Sequence, residues 1–324
     1  MNSTKHFNVL IIGAGPAGVG AAVSLSKRGI KSIAIIERSD KIGGIPSFYK
    51  KKKGGVRTFV RWSLGGIPVF GEDYAKWLEK KLLKTKVQVE LQSQVISIDS
   101  KNKILTLVNS KEGEVKYSAD AIVMACGSRE ETPAERGWVA GSRPVRVFYT
   151  KQLLRLLDSN HLLPMNNPLI IGSDLIGYAA AAKLKAAGAS DAVIVDNCSR
   201  PKCGIFERLY FRIWSNPKYQ GLSTKSIEVT GNKTASGVIL NGKNIPCDGI
   251  VICGELIPNS ELALNGNIKV ELHSRKPVVA KDYQLSESGW FVAGNILGGF
   301  HGAEWCYFNG RRVARAVNKY ISEF

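Results

Sequence analysis

This 324-residue chain is poor in the residues and segments that characterise metal-binding, secreted and membrane-spanning proteins. It has four scattered histidines, and its six cysteines include no C-x-x-C pair, so we expect neither a metal site nor a disulfide framework. No apolar run approaches the roughly 20 residues that a membrane-spanning helix requires. The N-terminus enters an apolar segment almost at once, which leaves no room for a signal peptide. We therefore expect a cytoplasmic protein.

Acidic residues are also scarce relative to basic ones. The chain has 27 aspartates and glutamates against 45 lysines and arginines, which gives a formal net charge of +18. Such a charge favours acidic partners, anionic membrane surfaces or nucleic acid, although a solvated basic surface explains it equally well. The clearest cluster is Lys50–Lys53, extended by Arg57 and Arg61. It falls within the first of two domains that the motifs indicate, so we expect no nucleic-acid binding. Peripheral membrane contact and the role of this cluster stay open.

One glycine-rich pattern occurs twice in the chain. The first copy, Gly13–Gly18, reads GAGPAG between an apolar β-branched segment and a helical pattern, and Glu37 follows it. The second copy, Gly172–Gly177, reads GSDLIG and is followed by Asp196, each position lying 159 residues after its counterpart. This repeat predicts an α/β chain with two doubly wound, Rossmann-like dinucleotide-binding domains.

The first copy has each residue that dinucleotide binding requires. Gly13 permits the tight turn from strand to helix, Gly15 lets the backbone approach a pyrophosphate, and Gly18 lets the helix pack on the strand. The pyrophosphate would then lie on N–H groups at the positive end of the helix. Glu37, at the end of the next strand, can accept hydrogen bonds from ribose hydroxyls. The first copy therefore predicts an intact nucleotide site.

Two further segments favour FAD over NAD at this site. Lys41–Pro46 reads KIGGIP soon after Glu37, as in FAD proteins whose glycines pass over the cofactor. Gly289–Asn295 resembles the second FAD motif of the thioredoxin-reductase and glutathione-reductase superfamily, with Asn295 in place of the acid that contacts the ribityl chain. Gly302–Trp305 opens a helix whose N-terminus would, by this resemblance, stabilise negative charge on the flavin pyrimidine edge.

The second copy differs at the glycine that approaches the pyrophosphate, because Gly15 corresponds to Asp174. An aspartate there occupies the space of the pyrophosphate and repels it, and aspartate is also a good helix N-cap. Our hypothesis is that the Asp174 carboxylate caps the helix where a phosphate would otherwise bind, so that the second unit would be a structural relic or would bind a nucleotide differently. The retained Asp196 leaves NAD(P) binding open and favours NAD over NADP.

Essentially the whole chain resembles the pyridine nucleotide-disulfide-oxidoreductase-like flavoproteins. Within them it is similar to the small FAD subunits of amine and opine dehydrogenases, hydrogen cyanide synthase and sarcosine oxidase alpha chains. The resemblance is carried by Gly43–Pro46, Cys126–Glu130, Gly141–Pro144, Ala293–Leu297 and Trp305–Arg312.

The resemblance implies an electron-transferring FAD subunit beside a second flavoprotein subunit that oxidises an amino acid, amine or hydroxy acid. The chain departs from disulfide-reducing members because it lacks a C-x-x-C pair, so we expect no disulfide reduction. Two alternatives stay open: a stand-alone NAD(P)H-dependent flavin reductase, and a non-catalytic partner protein stabilised by FAD. The sequence does not name a substrate or a final electron acceptor.

The motifs also predict domain limits and site residues. With 44% hydrophobic residues the chain is long enough for two cores. We expect an FAD-binding domain of residues 1–147 and 255–324, and an inserted NAD(P)-binding-like domain of residues 148–254. The candidate catalytic residues are His301 and Glu304. The candidate FAD-binding residues are Gly13, Gly15, Pro16, Ala17, Gly18, Glu37, Arg38, Gly44, Ile45, Val95, Ala125, Gly127, Gly294, Asn295, Ala303 and Glu304. The second nucleotide-like site comprises Gly172, Asp174, Gly177 and Asp196.

Overall fold

A computed structural model describes residues 4–51, 55–138 and 141–323 of the chain. Lys52 and Lys53 of the basic cluster therefore lie outside the described residues. The chain packs as two compact units. Unit 1 comprises Met1–Ser47, Phe59–Arg129 and Leu256–Phe324, and unit 2 comprises Phe48–Thr58 and Glu130–Glu255.

The strands are β1 (Lys5–Ile12), β2 (Ile33–Ile36), β3 (Phe59–Arg61), β4 (Ile67–Val69), β5 (Gln88–Glu90), β6 (Ser93–Asp99), β7 (Ile104–Asn109), β8 (Gly113–Met124), β9 (Ser128–Glu130), β10 (Val147–Tyr149), β11 (Pro168–Ile171), β12 (Val193–Asp196), β13 (Lys218–Gly221), β14 (Ile227–Thr230), β15 (Gly237–Leu240), β16 (Lys243–Pro246), β17 (Gly249–Ile252), β18 (Leu256–Pro258) and β19 (Trp290–Val292). The α-helices are α1 (Pro16–Lys27), α2 (Gly71–Leu82), α3 (Thr150–Leu154), α4 (Leu175–Ala186), α5 (Ile205–Phe211), α6 (Glu261–Asn265) and α7 (Ala303–Ser322). Single 3₁₀ turns cover Ile45–Phe48, Trp62–Leu64 and Gly294–Leu297, and a π-helical turn covers Arg155–Ser159.

Unit 1 is built on a sheet with the strand order β5-β2-β1-β8-β7-β6. The long strand β8 changes neighbours along its length. Its first half alternates exposed and buried residues and pairs antiparallel with β7, as expected of a half-buried strand. Its second half is buried almost throughout and pairs in parallel with β1 and β19. The parallel strands β5, β2, β1, β8 and β19 therefore end at one edge of the sheet.

Both faces of this sheet are covered by apolar side chains. Because side chains alternate along a strand, Val9 and Ile11 of β1 face a core formed largely by α1 and α7. Leu10 and Ile12 face a second core with residues of β6, β7 and β19. The continuous apolar sequence of β1 thus reflects burial on both faces.

Helices α1 and α7 pack backbone against backbone. A Cβ atom on Gly20 would overlap the carbonyl oxygen of Tyr307, and a Cβ atom on Gly310 would overlap that of Ala17. A Cβ atom on Gly18 would likewise overlap the carbonyl oxygen of Gly13, which follows β1. Glycine is therefore required at these positions because neighbouring backbone atoms lie too close for a Cβ atom. An unusual backbone angle is not the reason.

Unit 2 repeats the beginning of unit 1. Its main sheet has the order β10-β17-β11-β12-β13, with every pair parallel, and β14, β15 and β16 form a separate antiparallel sheet. Helix α4 begins and ends 159 residues after α1, and Gly177 packs against the Gly172 carbonyl as Gly18 packs against that of Gly13. The repeat expected from the two fingerprints is therefore visible in the backbone.

The limits of the compact units differ from the sequence-based domain limits, most of all where the chain enters unit 2 after Arg129. The chain enters unit 2 after Arg129, where the sequence placed the crossing after residue 147. The reason is local packing: the Arg136 guanidinium donates to the carbonyls of Cys253 (3.2 Å) and Gly254 (2.8 Å), and Trp138 is buried in a core of unit 2. The chain returns to unit 1 between Glu255 and Leu256, one residue beyond the expected limit, and an earlier segment, Phe48–Thr58, also belongs to unit 2. The division of the two nucleotide-binding functions at residues 147 and 254 stays a prediction.

The start of the basic cluster also belongs to unit 2. The Lys50 amide donates to the Asp158 carboxylate (3.1 Å), which forms a buried ion pair with Lys183. The Lys183 ammonium also lies 5.3 Å from the centre of the Tyr49 ring. The segment that carries Lys50 is thus attached to unit 2, whereas the sequence placed it in the FAD domain.

None of the helices in the described residues combines the length and apolar character needed to cross a bilayer. The same residues contain no group of three or more histidine, cysteine, aspartate or glutamate side chains arranged to hold a metal ion.

The close contact between α1 and α7 can be tested by a substitution. Helix propensity and backbone packing predict opposite effects on stability for it. Helix propensity alone predicts that Gly310→Ala stabilises the protein by about 1 kcal/mol. The overlap with the Ala17 carbonyl predicts instead a loss of about 1–3 kcal/mol and a melting temperature lower by several degrees. Gly302→Ala is the steric control, because its Cβ would meet no atom within 4 Å; as the N-cap of α7 it should lose only the roughly 0.5 kcal/mol that alanine costs relative to glycine at that position. An unchanged or higher melting temperature for Gly310→Ala in a circular-dichroism melt would contradict the proposed packing constraint.

Candidate functional site

The first fingerprint forms a turn with open space beside it. Gly13 has φ +108°, and its amide donates to the Ile36 carbonyl (2.8 Å). Gly15 is the N-cap of α1 and has no side chain with which to cap the helix. A Cβ atom on Gly15 would meet only the Gly44 Cα, at 3.9 Å. The backbone thus leaves room for a ligand beside the first turn of α1, where Pro16, Ala17 and Gly18 follow.

Glu37 lies immediately after β2, next to this turn. Its buried carboxylate accepts hydrogen bonds from the backbone amides of Ala14 and Ser39, each at 2.8 Å. Arg38 is exposed beside it. The two amide bonds hold the carboxylate beside the fingerprint turn, and the ribose contact expected of Glu37 stays a prediction.

The glycines after Glu37 return the chain to the fingerprint. The Gly43 amide donates to the Ala14 carbonyl (2.9 Å), and a Cβ atom on Gly44 would lie 3.0 Å from the Gly15 Cα. Gly44 has φ +60°, so glycine is favoured there on both grounds. Ile45, the next residue, is half exposed.

A third turn follows β8. The Ala125 amide donates to the Ile12 carbonyl (2.9 Å), and Gly127 has φ +69°. Asn259 fixes this turn, because its side chain donates to the Cys126 carbonyl (2.8 Å) and its amide to the Gly127 carbonyl (3.0 Å). Asn259 was not identified from the sequence, since nothing in its surroundings indicates a long-range contact. Val95, which the sequence proposed as a cofactor contact, has its side chain in an apolar core.

The tail motif is held together by two asparagines. Asn309 of α7 accepts from the Gly294 amide (2.8 Å) and was not identified from the sequence. The Asn295 side chain accepts from the His301 amide and donates to the His301 carbonyl, both at 3.2 Å. It also accepts from the Cys306 thiol (3.3 Å). Asn295 therefore braces the loop before α7, and the ribityl contact expected of it stays a prediction.

The beginning of α7 carries both candidate catalytic residues. The buried Glu304 carboxylate accepts from the Ser63 amide (3.0 Å) and hydroxyl, and lies 3.4 Å from the Arg61 Nε. The Arg61 guanidinium in turn stacks on Trp77, 4.1 Å from the ring centre. Glu304 is thus surrounded by donors that hold it, together with Ala303, at the start of the helix.

His301 lies in a different environment from Glu304. Its ring stacks on that of Trp305, with 3.8 Å between the ring centres and an angle of 17°. Partial burial lowers the pKa of His301 below its ordinary value, so the imidazole is neutral at pH 7.

The predicted site residues of the first fingerprint converge at one edge of the sheet. Gly13 follows β1, Glu37 follows β2, Ala125 follows β8, and Ala293 with Gly294 follows β19. These strands are parallel to one another, so their carboxyl ends lie at the same edge. Ligands of open α/β sheets bind in the crevice outside that edge. The candidate site of unit 1 is this crevice, with the start of α1 at its wall.

The second fingerprint has the same backbone and different hydrogen bonds. The Asp174 carboxylate accepts from the amides of Ile176 and Gly177, each at 3.0 Å, and so caps α4. Those amides correspond to the amides of Ala17 and Gly18 in α1. The cap that our hypothesis assigned to Asp174 agrees with this geometry.

The acid at the end of β12 is also hydrogen-bonded and ion-paired. Asp196 accepts from the Ser173 amide (2.8 Å) and hydroxyl (2.7 Å), and lies 3.3 Å from the Lys202 ammonium. Burial by itself would raise its pKa, but these bonds outweigh burial and hold the pKa below the ordinary value. Lys202 also forms an ion pair with Glu255 (2.9 Å).

The surroundings of Asp174 disfavour a further negative charge. Burial raises the pKa of Asp174, and its two amide bonds only partly oppose this. Burial likewise raises the pKa of Glu130, and the Asp174 charge adds to the increase. Asp174 and Glu130 of unit 2 thus both have carboxyl groups with raised pKa values, and the charge of Asp174 contributes to the increase at Glu130.

Most of the cysteines are buried thiols. All six are free thiols. Burial raises the pKa of most of them: to about 12 for Cys126, Cys203 and Cys306, to about 11 for Cys247, and well above the ordinary value for Cys253. Because the thiolate is the nucleophile, these five thiols are poor nucleophiles at neutral pH.

The raised pKa of Asp174 predicts a pH-dependent difference between wild type and Asp174→Asn. An acid with a higher pKa in the folded state stabilises the fold less as pH rises through that pKa. Asparagine caps helices about as well and does not titrate. The melting temperature of Asp174→Asn, relative to that of wild type, should therefore rise between pH 4 and pH 7. A constant difference would contradict this expectation, and Asp174→Ala should lose about 1 kcal/mol because the cap is gone.

The thiol environments predict a simple titration. With Ellman's reagent at about pH 7.5, Cys198 should react first in the native protein, and all six thiols should react after denaturation. Cys198→Ser should remove the fast phase. Rapid reaction of two or more thiols in the native protein would show that burial does not protect the others.

Comparisons with known proteins agree with this geometry. Residues 7–318 match the pyridine nucleotide-disulphide oxidoreductase family. The soluble pyridine nucleotide transhydrogenase of Vibrio atlanticus is 25% identical over 358 residues, which cover 98% of this chain and 72% of that protein. A subunit of the opine oxidase of Agrobacterium tumefaciens is 25% identical over 345 residues, which cover 97% of this chain and 66% of that protein.

Solved structures confirm the fold expected from the sequence. The thioredoxin reductase of T. acidophilum is 19% identical, with a TM-score of 0.77 over 97% of this chain and 98% of that chain. The L-proline dehydrogenase of P. horikoshii is 18% identical, with a TM-score of 0.70 over 98% of this chain and 57% of that chain. The family confirms the resemblance and the cofactor expected from the motifs, since its members bind FAD and use NAD(P). The chain therefore belongs to the pyridine nucleotide-disulphide oxidoreductase family, a family of FAD-dependent oxidoreductases.

Proposed function

We propose that this protein is an electron-transferring FAD subunit of a dehydrogenase or oxidase complex, and that its electrons come from a partner subunit, not from NAD(P)H. The observation that carries the proposal is the Asp174 cap. Its carboxylate occupies the two amides of α4 that correspond to the pyrophosphate-binding amides of α1. The partner subunit would oxidise an amino acid, amine or hydroxy acid.

The residues of unit 1 fit FAD. The open space beside Gly15 and the first turn of α1 would hold the pyrophosphate, because N–H groups and the helix dipole favour an anion there. The Glu37 carboxylate would accept from the ribose hydroxyls, and Gly44 would let the chain pass closely over the cofactor. When bound, FAD supplies the redox chemistry, while the protein supplies binding, orientation and electrostatics.

The start of α7 would orient the cofactor without exchanging protons with it. Glu304 is held by Ser63 and Arg61, so we assign it a positioning role in place of the catalytic role that the sequence suggested. Ala303 would present the helix N-terminus to the isoalloxazine ring. Neutral His301, partly exposed and stacked on Trp305, is the better candidate for contact with a substrate or electron acceptor.

The relatives support a role within a complex and do not require disulfide chemistry. The Agrobacterium relative is by its name one component of an opine oxidase. Thioredoxin reductases share the fold, but the cysteines of this chain form no C-x-x-C pair, and five of the thiols have raised pKa values. We therefore propose an oxidoreductase that does not reduce disulfides.

A pair of matched substitutions tests the FAD site and the Asp174 argument together. Gly15→Asp gives the first site the residue of the second, and we expect FAD affinity to fall about a hundredfold because the carboxylate caps α1 and repels the pyrophosphate. The fold should persist, since unit 2 accommodates aspartate at this position. Asp174→Gly is the control and should retain FAD. The measurement is flavin absorbance of the purified protein and titration of the apoprotein with FAD.

The electron source is tested by mixing the flavin-loaded protein with micromolar NADH or NADPH in a stopped-flow instrument. We expect slow bleaching of the wild-type flavin and tighter nucleotide binding by Asp174→Gly. Bleaching of the wild type within seconds would instead favour the stand-alone NAD(P)H-dependent reductase. Co-purification with a second flavoprotein subunit would support the proposed complex, whereas absence of flavin turnover with every donor would favour a non-catalytic partner protein.

A further inference from the structure

The outer faces of α1, α2 and α7 in unit 1 form a strongly basic groove. Two adjoining cavities of about 400 Å³ and 300 Å³ lie along it. The cations that line these cavities, which we call the basic groove, are Lys27, Arg28, Lys81, Arg311, Arg312 and Arg315. No acidic side chain of the described residues lines either cavity.

The charges of the basic groove are not balanced within the protein. In the part of the chain that the structure describes, Arg28, Arg312 and Arg315 have no carboxylate within ion-pair distance, and all three are exposed. By contrast, Arg61 at the floor of the larger cavity is paired with Glu304. Crowded like charges repel one another, so an anionic ligand would relieve an existing repulsion.

An apolar hairpin adjoins the basic groove. Strands β3 and β4 pair antiparallel. The turn between them carries Trp62 (75% exposed) and Leu64 (53%), and Ile67 (52%) is the first residue of β4. Leu64 also lines the larger cavity, so the apolar and basic surfaces are continuous. Large apolar side chains exposed side by side on a loop indicate a contact surface.

We infer that the basic groove and the apolar hairpin together dock this protein on the surface of an anionic lipid bilayer. Tryptophan and aliphatic side chains enter the boundary between headgroups and acyl chains, while arginine and lysine attract anionic headgroups. A bilayer satisfies both surfaces at once. Nucleic acid would accept the cations and stack on Trp62, but it offers no apolar environment to Leu64 and Ile67.

A second copy of the chain is disfavoured as the occupant. A twofold interface brings the same patch of both protomers together, so it would place one basic groove against another. Trp62, Leu64, Ile67 and the cations of the basic groove are not among the residues assigned to the crevice of unit 1, so docking is independent of the proposed electron source.

Vesicle sedimentation with the flavin-loaded full-length protein tests the inference. We expect binding to vesicles of three parts phosphatidylcholine to two parts phosphatidylglycerol to be at least about tenfold tighter than to pure phosphatidylcholine, and to weaken when salt rises from about 0.1 M to about 0.5 M. Arg312→Gln with Arg315→Gln should weaken this binding about tenfold or more. Trp62→Ser should also weaken it and leave the salt dependence in place.

The matched control is Lys111→Gln with Lys116→Gln, which removes the same charge from the exposed β7–β8 hairpin of unit 1. It should bind within about twofold of wild type, because its charges lie outside the basic groove. Equal loss in the two double variants would show a general charge effect and overturn the inference, as would unchanged binding by Trp62→Ser. Binding to polyglutamate or RNA without binding to the vesicles would overturn it in favour of an acidic protein or a nucleic acid. Flavin absorbance of each sample separates these results from a failure of the FAD site.

Discussion

Helices α1 and α7 approach each other backbone to backbone, and the functional surfaces of unit 1 depend on that contact. Gly20 and Gly310 remove the side chains that would otherwise separate the helices, and Gly18 does the same between α1 and the turn after β1. The contact fixes where α1 begins relative to the carboxyl ends of the parallel strands. It also brings the arginines of α7 beside the end of α1, where they form the basic groove. One packing constraint thus positions both the nucleotide crevice and the proposed docking surface.

The two fingerprints show how one side chain changes the chemistry of a shared backbone geometry. At Gly15 the first turn of α1 is open, whereas at Asp174 a carboxylate already accepts from the corresponding amides of α4. An internal carboxylate that accepts from these donors would also repel an incoming phosphate. The acids after β2 and at the end of β12 show a similar contrast: Glu37 is bound by amides, while Asp196 is additionally bound by Ser173 and paired with Lys202.

The start of α7 illustrates why residue type does not settle residue role. Glu304 has the chemistry of a general acid, yet Ser63 and Arg61 reach it from the β3–β4 hairpin and hold its carboxylate in place. Asn295 has the chemistry of a ribityl contact, yet its amide holds the His301 backbone. Asn259 and Asn309 hold other turns of the crevice and were not found from the sequence, because their partners are distant along the chain. The partners of a polar side chain often come from segments that are distant along the chain. Local sequence patterns do not predict such contacts.

The sequence by itself determined the repeated strand-turn-helix unit, the FAD family and the residue at which the two nucleotide sites differ. These features follow from local rules: buried parallel strands read as apolar runs, tight turns require glycine, and helices begin and end at recognisable residues. Only the tertiary structure decided that the chain enters unit 2 after Arg129, that Glu304 is held by an arginine and a serine, and that cations from three separate helices line one groove. Those outcomes depend on which surfaces meet when the chain is compact, and that is a property of long-range packing.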